Sequence, residues 1–506
     1  MSGIYSDFIL EPELIFGGLN EEKDPKLGLK YFGPYYTSSE KKPIARIKVG
    51  IVGDNKTITL SKRILNMLEN PIKNDESNRW LYPDFIGFKL NNVIGCEFNN
   101  SDTWNETINF LDISRITNIG DVNIRIAKSV NLFVDKIKNI LMEEEVDVII
   151  CALPYLIEEY CGISEFTYGA KRRRKKTSLE KRIESLKSKG QMFLSDWIIE
   201  TDEIKEDIGY DFRNMLKGRV LQYGIPIQLL RETTARGITE YPSNKYPVRQ
   251  SPTPFAWNFS TALYYKGLGK PWRLAKLSKG SCYVGISFYR SYLKHDRNLQ
   301  VSMAQVFLDT GEGFVLRGGD VEVDRDTREP KLTKEQAYGL LNDALSKYQN
   351  KVGTKPNRVV IHKTSLYSEQ EEKGFNEAIE DAKRDFIALS TRHNVRFLRT
   401  GKYPVLRGTM ISVTPNECYL FTSGFIPRVR TYPAHRVPRP LRIIHKGDSE
   451  MRFICEEILG LTKLNWNTTA FSTQMPITLH FAKEVGKVLS ELPDAIEVRD
   501  HYKFYM

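Results

Sequence analysis

Four polar residues in the middle of the chain have the types and spacing of an anion-binding site. Arg213 and Lys217 lie four residues apart in a helix-like segment, so both side chains leave the same face. Gln228 follows at the end of the strand-like run YGIPIQLL, and Lys266 lies on a further predicted helix. Taken singly, each cation is most simply a surface charge. A converging set of guanidinium, ammonium and amide groups predicts a cradle for an anion.

Length and composition indicate the number of domains, the charge of a partner and the cellular compartment. A chain of 506 residues exceeds what one hydrophobic core usually serves, so we expect two domains. The net charge of +11 suits a polyanionic partner. The six cysteines contain no C-x-x-C pair, which disfavours a zinc ribbon and fits a reducing compartment. The start has no signal-peptide pattern and no apolar run is long enough for a membrane span, so we expect a cytoplasmic protein.

From residue 44 onward, strand-like and helix-like segments alternate. ARIKVGIVG and VDVIICALP read as buried strands, and VNLFVDKIKNILMEE reads as an amphipathic helix. We also expect WLYPDFIGF to be a strand and DTWNETINFL a helix. This alternation predicts a parallel α/β domain.

A second α/β region begins near Ser281 with the strand CYVGISFYR. An antiparallel hairpin follows, and then two helices that open with capping boxes, the first at Thr333 and Gln336 and the second at Ser368 and Glu371. A hairpin followed by a β-α-β unit is typical of a ribonuclease-H-like mixed sheet.

Two further segments stand apart from this alternation. Residues 1–45 are rich in proline, glycine and tyrosine, and we expect an irregular arm that packs on its own body or on a partner. The basic run Lys171–Lys176 suits a nucleic-acid contact and equally suits a solvated loop.

The spacing of the four anion-binding candidates resembles the MID domain of Argonaute proteins. There, an aromatic or basic residue, a lysine, a glutamine and a distal lysine hold the 5′-phosphate of a guide strand. The resemblance assigns these roles to Arg213, Lys217, Gln228 and Lys266, with Arg213 in place of the usual tyrosine. It further implies a structural Mg²⁺ at the phosphate, completed by the C-terminal carboxylate of Met506.

The second half resembles the PIWI domain, whose slicing members hold two metal ions on four acidic or histidine residues. Ser287, Thr364 and Lys483 stand at three of those positions, so the resemblance implies a catalytically inactive domain. Lys483 and Arg290 would then line a nucleic-acid channel. The alternative is a nuclease that uses displaced acids, for which the candidates are Asp309, Glu312, Asp320, Glu322, Asp324 and Asp326.

The whole chain resembles short prokaryotic Argonautes, made of MID and PIWI alone. The implied division is an arm over 1–45, a Rossmann-like MID domain over 46–265 and a ribonuclease-H-like PIWI domain over 266–506. The family implies a guide RNA, a single-stranded DNA target and a heterodimer with a TIR-APAZ protein. Target binding would drive oligomerisation and NAD hydrolysis by that partner, as abortive-infection defence. A sirtuin-APAZ or nuclease-APAZ partner, a guide-directed nuclease and an unguided binding protein are the alternatives.

Overall fold

The computed structural model describes most of the chain as helices and strands joined by short loops. The described ranges are 4–37, 45–162, 210–242, 250–267, 269–292, 299–308, 313–323, 329–431, 438–492 and 498–506, with isolated positions between 163 and 249. The helices are α1 Pro25–Phe32, α2 Asn55–Leu68, α3 Phe110–Thr117, α4 Val122–Glu143, α5 Tyr155–Tyr160, α6 Phe212–Val220, α7 Glu232–Thr239, α8 Pro252–Gly267, α9 Lys334–Val352, α10 Glu369–Ile379, α11 Met451–Leu461 and α12 Ile477–Leu489. No helix among these residues is long and apolar enough to cross a membrane.

The strands fall into two main sheets and two small ones. They are β1 Tyr5–Phe8, β2 Leu14–Ile15, β3 Glu21–Glu22, β4 Ala45–Gly53, β5 Cys96–Asn99, β6 Asn105–Thr107, β7 Val148–Leu153, β8 Phe166–Thr167, β9 Ala170–Lys171, β10 Ile227–Arg231, β11 Arg273–Leu274, β12 Ser281–Tyr289, β13 Leu299–Leu308, β14 Gly313–Glu322, β15 Arg358–Lys363, β16 Lys383–Ser390, β17 Thr409–Thr414, β18 Glu417–Leu420 and β19 Leu441–Gly447.

The first main sheet confirms the predicted parallel α/β domain. Its strands run in the order β10-β7-β4-β5, with β6 also paired to β4, and all these pairs are parallel. The sequence assignment fails between 80 and 110. WLYPDFIGF forms no strand, because Phe85 and Phe88 are buried as loop residues and the Phe85 ring packs edge-on to Trp257 at 5.0 Å. DTWNETINFL forms no continuous helix: it contains a 3₁₀ turn at Asp102–Trp104 and the short strand β6, and α3 begins only at Phe110.

The second main sheet confirms the predicted ribonuclease-H-like order. Its nine strands run β1-β17-β18-β19-β16-β15-β12-β13-β14. The hairpin β13–β14 is antiparallel, and β12, β15 and β16 pair in parallel. Both predicted capping boxes are present, at the starts of α9 and α10. Helix α12 lies so close to β12 that a Cβ atom on Gly285 would come within 2.5 Å of the Thr478 carbonyl oxygen.

The opening arm is more regular than its composition predicts. It contains α1, capped by the Asp24 carboxylate, and three short strands. Strand β1 adds to the edge of the nine-stranded sheet against Thr409–Ser412. Glu11 is clamped by Arg407 and by Lys463, each at 2.8 Å. The arm therefore packs on the body of its own chain, which was one of the two predicted arrangements.

Candidate functional site

The four anion-binding candidates come from three elements that meet where the two sheets adjoin. Arg213 and Lys217 lie on α6, whose N-terminus is capped by the Asp211 carboxylate accepting from the Asn214 backbone N–H at 2.9 Å. Lys266 lies in the last turn of α8. Gln228 is the second residue of β10, not near the end of a strand as the sequence suggested. The structure thus brings the predicted set together.

Direct contacts join three elements at the floor of this site. The Lys266 ammonium donates to the Gln228 Oε1 atom and lies 3.4 Å from the Asn467 Oδ1 atom. Lys217 and Lys266 retain only 2% and 1% of their surface exposure. No carboxylate forms an ion pair with either ammonium within the described ranges. Among the described residues, the charge of the Glu484 carboxylate acts on Lys217, but that carboxylate is shared with Arg213 and Lys487. A bound anion would therefore stabilise both desolvated cations.

The electrostatics of the two lysines follow from this burial. Burial lowers the pKa of Lys266 to about 7, with a further contribution from the charge of Arg213. Burial also holds the pKa of Lys217 well below its usual range, and the charges of Arg213 and Lys266 add to the effect. Lysine pKa values lowered by burial and by neighbouring cations are common at functional sites. A bound anion would raise these pKa values again.

Arg213 has a partner that the sequence did not indicate. Its Nη1 atom lies 3.7 Å from the Glu484 Oε2 atom, on α12 of the second domain. Burial alone would raise the pKa of Glu484, but Lys487 and Arg213 hold it below its usual value. Asn467, the other missed residue, lies in a loop with no distinguishing pattern. Both contacts arise from the packing of one domain on the other, so no local sequence signal marks them.

Ser287 and Thr364 follow the last paired residues of two parallel core strands. In the register of β12 and β15, Ile286 pairs with Lys363. Ser287 is the next residue of β12, which continues to Tyr289, and Thr364 directly follows the end of β15. Lys483 and Arg290 are both exposed, Lys483 on α12 and Arg290 directly after β12. The structure therefore places hydroxyl groups, not carboxylates, at these two positions.

The neighbouring side chains of His362 and Lys363 bond to other residues of the chain. His362 is buried against Thr478, 2.7 Å from its Nδ1 atom to the Oγ1 atom, and burial lowers the pKa of His362 to about 3. Lys363 forms a buried ion pair with Glu371. Within the described part of the chain, no cluster of three histidine, cysteine, aspartate or glutamate residues could hold a metal ion.

The displaced acids proposed from the sequence are only partly described. Asp320 is exposed near the end of β14. Glu322 ends the same strand, but its side chain lies outside the described part of the structure. The remaining candidates lie outside the described residues, and these are Asp309, Glu312, Asp324 and Asp326. Most of the basic run Lys171–Lys176 also lies outside them.

Comparison with solved structures gives one consistent answer. No protein-family model matches the sequence, and no curated protein matches it. The Argonaute of Clostridium butyricum, solved with a guide DNA and a 19-mer target DNA, superposes with a TM-score of 0.62 at 15% identity over 98% of this chain and 54% of that one. The chain has an Argonaute fold.

Two further Argonaute structures agree. The Aquifex aeolicus Argonaute gives a TM-score of 0.53 at 14% identity over 98% of this chain and 54% of that chain. Drosophila Piwi gives a TM-score of 0.58 at 12% identity over 99% of this chain and 56% of that chain. The chain spans about half the length of these Argonautes. In Argonaute terms, the parallel sheet corresponds to the MID domain and the nine-stranded sheet to the PIWI domain.

Proposed function

We propose that this chain binds a guide strand through its 5′-phosphate at Arg213, Lys217, Gln228 and Lys266. The observation that carries the proposal is the pair of buried ammonium groups that form no ion pair with a carboxylate of the described residues. A phosphate dianion would supply negative charge and further acceptor oxygens to both lysines. Gln228 holds Lys266 in place and Arg213 covers the site from α6.

The proposed guide is RNA and the proposed target is single-stranded DNA. Base pairing supplies the sequence specificity, and the protein contacts the backbone of the duplex, as in other guided systems. The exposed cations Arg290 and Lys483 favour this use of the PIWI surface. The PIWI domain in this proposal is catalytically inactive, because the hydroxyl groups of Ser287 and Thr364 bind Mg²⁺ more weakly than carboxylates would.

The side chains at the proposed phosphate site do not form a site for Mg²⁺. The groups that face the site are mainly cations, whereas Mg²⁺ requires oxygen ligands. The Gln228 oxygen already accepts from Lys266. Met506 is buried in the same apolar cluster as Tyr265 and Tyr502. The side chains present do not fit an ion by themselves, so no step of the proposed function depends on one.

The partner in the proposal is a TIR-APAZ protein. Target recognition would activate its NAD hydrolysis, with oligomerisation of the heterodimer, NAD depletion and cell death as the outcome. This part rests on the resemblance of the opening arm and the PIWI half to the Argonaute subunits of such systems. Coexpression with the product of the adjacent reading frame, followed by an NAD hydrolysis assay with guide and target, tests it directly.

Guide binding is tested by the nucleic acid that co-purifies with the chain. We expect 5′-phosphorylated small RNA with the wild-type protein. The Lys217→Ala, Gln228→Ala double variant should lose it. The matched control is Lys138→Ala with Gln349→Ala, two exposed residues that are not among the four proposed ligands. A normal RNA load on the double variant would refute the pocket.

The same preparation separates the rivals. An unguided binding protein would carry no small RNA in either form. A guided nuclease would cleave target when Mg²⁺ or Mn²⁺ is added, and Asp320→Asn would reduce the cleavage. Retention of the target intact in complex with the guide favours the inactive carrier proposed here.

A further inference from the structure

Two loops far apart in sequence meet at the surface and present an aromatic ring beneath a guanidinium group. Trp80 leaves 54% of its surface in solvent. The guanidinium carbon of Arg430 lies 5.0 Å from the centre of the indole ring. A cation held over tryptophan is the most favourable pairing of this type. Neither side chain contributes to the core, so the arrangement calls for a reason other than stability.

The Asn78 side chain holds the two loops of Trp80 and Arg430 together. The Asn78 side chain donates from Nδ2 to the Val429 carbonyl oxygen at 2.9 Å and so ties one loop to the other. Its Oδ1 atom accepts from the backbone N–H groups of Trp80 and Leu81, each at 3.1 Å. Three backbone groups are thus held by a single side-chain amide, and these bonds fix the position of the Trp80 backbone.

Arg430 adopts a backbone conformation that is costly for its type. Its φ of 54° lies in the left-handed region, directly after the short 3₁₀ turn Pro427–Val429. Such strain persists only where the surroundings impose it, and it concentrates at functional positions. The turn is closed by the Ile426 backbone N–H donating to the Thr431 carbonyl oxygen at 2.8 Å.

The platform, defined as Trp80 and Arg430, is connected to the proposed phosphate site through one loop. Next to Trp80, Leu81 packs against a small apolar cluster that includes Phe471. Asn467, in the same loop as Phe471, lies 3.4 Å from the Lys266 ammonium. The four residue steps from Asn467 to Phe471 span at most about 14 Å.

The charges around the platform are mixed, which distinguishes it from a phosphate contact. The loop of Trp80 carries Lys73 and Arg79 but also acidic residues, among them Asp75 and Glu76. The cation nearest to Arg430 in sequence, Arg428, is paired with Glu22. A flat aromatic ring with a guanidinium group beside it suits the face of a base.

We propose that Trp80 and Arg430 form a stacking site for an unpaired base of single-stranded nucleic acid. The inference rests on the proposed binding of nucleic acid by this chain and assigns it an additional contact outside the phosphate pocket. The base would lie on the exposed face of the indole, and the guanidinium would hold the ring in position and polarise it.

The test compares two labelled probes by fluorescence anisotropy with the full chain. One is a 5′-phosphorylated oligouridine, and the other is an abasic strand with the same sugar–phosphate backbone. Trp80→Ala should weaken binding of the oligouridine about five- to 150-fold and leave the abasic strand unchanged. Trp80→Phe, which keeps a π face, should bind nearly as well as wild type, and Arg79→Ala is the charge control in the same loop.

The outcomes separate the platform from the pocket. Equal affinities of Trp80→Ala and wild type for the oligouridine, or equal losses on both probes, would overturn the stacking site. Failure of the guide-binding proposal appears elsewhere, as a wild-type protein that does not discriminate between 5′-phosphate and 5′-hydroxyl oligouridine. Thermal unfolding of Trp80→Ala verifies that the half-exposed side chain is not needed for folding.

Discussion

Replacing Lys266 with methionine should stabilise the protein without bound ligand. The same substitution should remove the proposed phosphate site. Methionine has a similar length and no charge, so the substitution removes the desolvated ammonium with little loss of packing. It also leaves the Gln228 oxygen without its donor, at a cost of about 1–2 kcal/mol. The balance between these effects depends on pH, and that dependence is the test.

The magnitude follows from the pKa of Lys266, which burial lowers from 10.5 to about 7. Below pH 7 both folded and unfolded states carry the proton, and the full cost of burying the charge applies. As the pH rises toward 10.5, only the unfolded state still binds the proton, so the cost fades. At 1.36 kcal/mol per pKa unit, the cost to the folded state is about 5 kcal/mol at pH 6 and about 2 kcal/mol at pH 9.

Urea unfolding of wild type and Lys266→Met at pH 6 and pH 9 measures this difference. We expect the variant to be more stable by about 3 kcal/mol at pH 6, and nearly equal to wild type at pH 9. Lys138→Met, at an exposed position, should show no such pH dependence. Equal stability differences at the two pH values would show that the Lys266 ammonium is not desolvated, and the argument for an anion at this site would fail with it.

Three further predictions concern the PIWI sheet. Arg358→Ala should cost about 3–5 kcal/mol of unfolding free energy, because it strands two buried carboxylates, whereas exposed Arg452→Ala should cost under about 1 kcal/mol by the same denaturation assay. Gly285→Ala should cost about 1–3 kcal/mol by pushing α12 from β12, while Gly339→Ala, with open space around it, should stabilise by up to about 1 kcal/mol. Burial alone would raise the pKa of Asp385, but hydrogen bonds and an ion pair outweigh it and lower this pKa to about 2. The unfolding free energy that Asp385 contributes should therefore be present above pH 4 and decrease toward pH 2 in an acid titration. This decrease should be absent in Asp385→Asn.

The residues of the proposed phosphate site could be picked out from the sequence because their types and spacing are visible within short segments. Arg213 and Lys217 share one helix face by spacing alone, and Gln228 and Lys266 sit on elements whose apolar patterns are strong. Their burial could not be foreseen, since it is created by the packing of α12 and the loop of Asn467 against them. The partner of Arg213 was missed for the same reason.

The errors in the fold have equally specific causes. The segment around Phe85 has the aromatic content of a strand, yet its rings fill a gap against Trp257 on α8 while its backbone remains a loop. The arm was expected to be irregular because its strands are short and each pairs with a partner far away in sequence. Local propensity carries no information about such pairing.

The docking of the arm has a consequence for the order of events during synthesis. Strand β1 leaves the ribosome well before its partner β17 and the clamp formed by Arg407 and Lys463, which lie roughly 400 residues later in the chain. At bacterial or eukaryotic elongation rates of about 5–20 residues per second, the arm waits on the order of 20–80 s before it can dock. During that interval Ile4, Tyr5 and Phe8 have no sheet to join. Closure of the arm is therefore a late step of folding, and a nascent chain held before β17 should expose it to proteases that the finished protein resists.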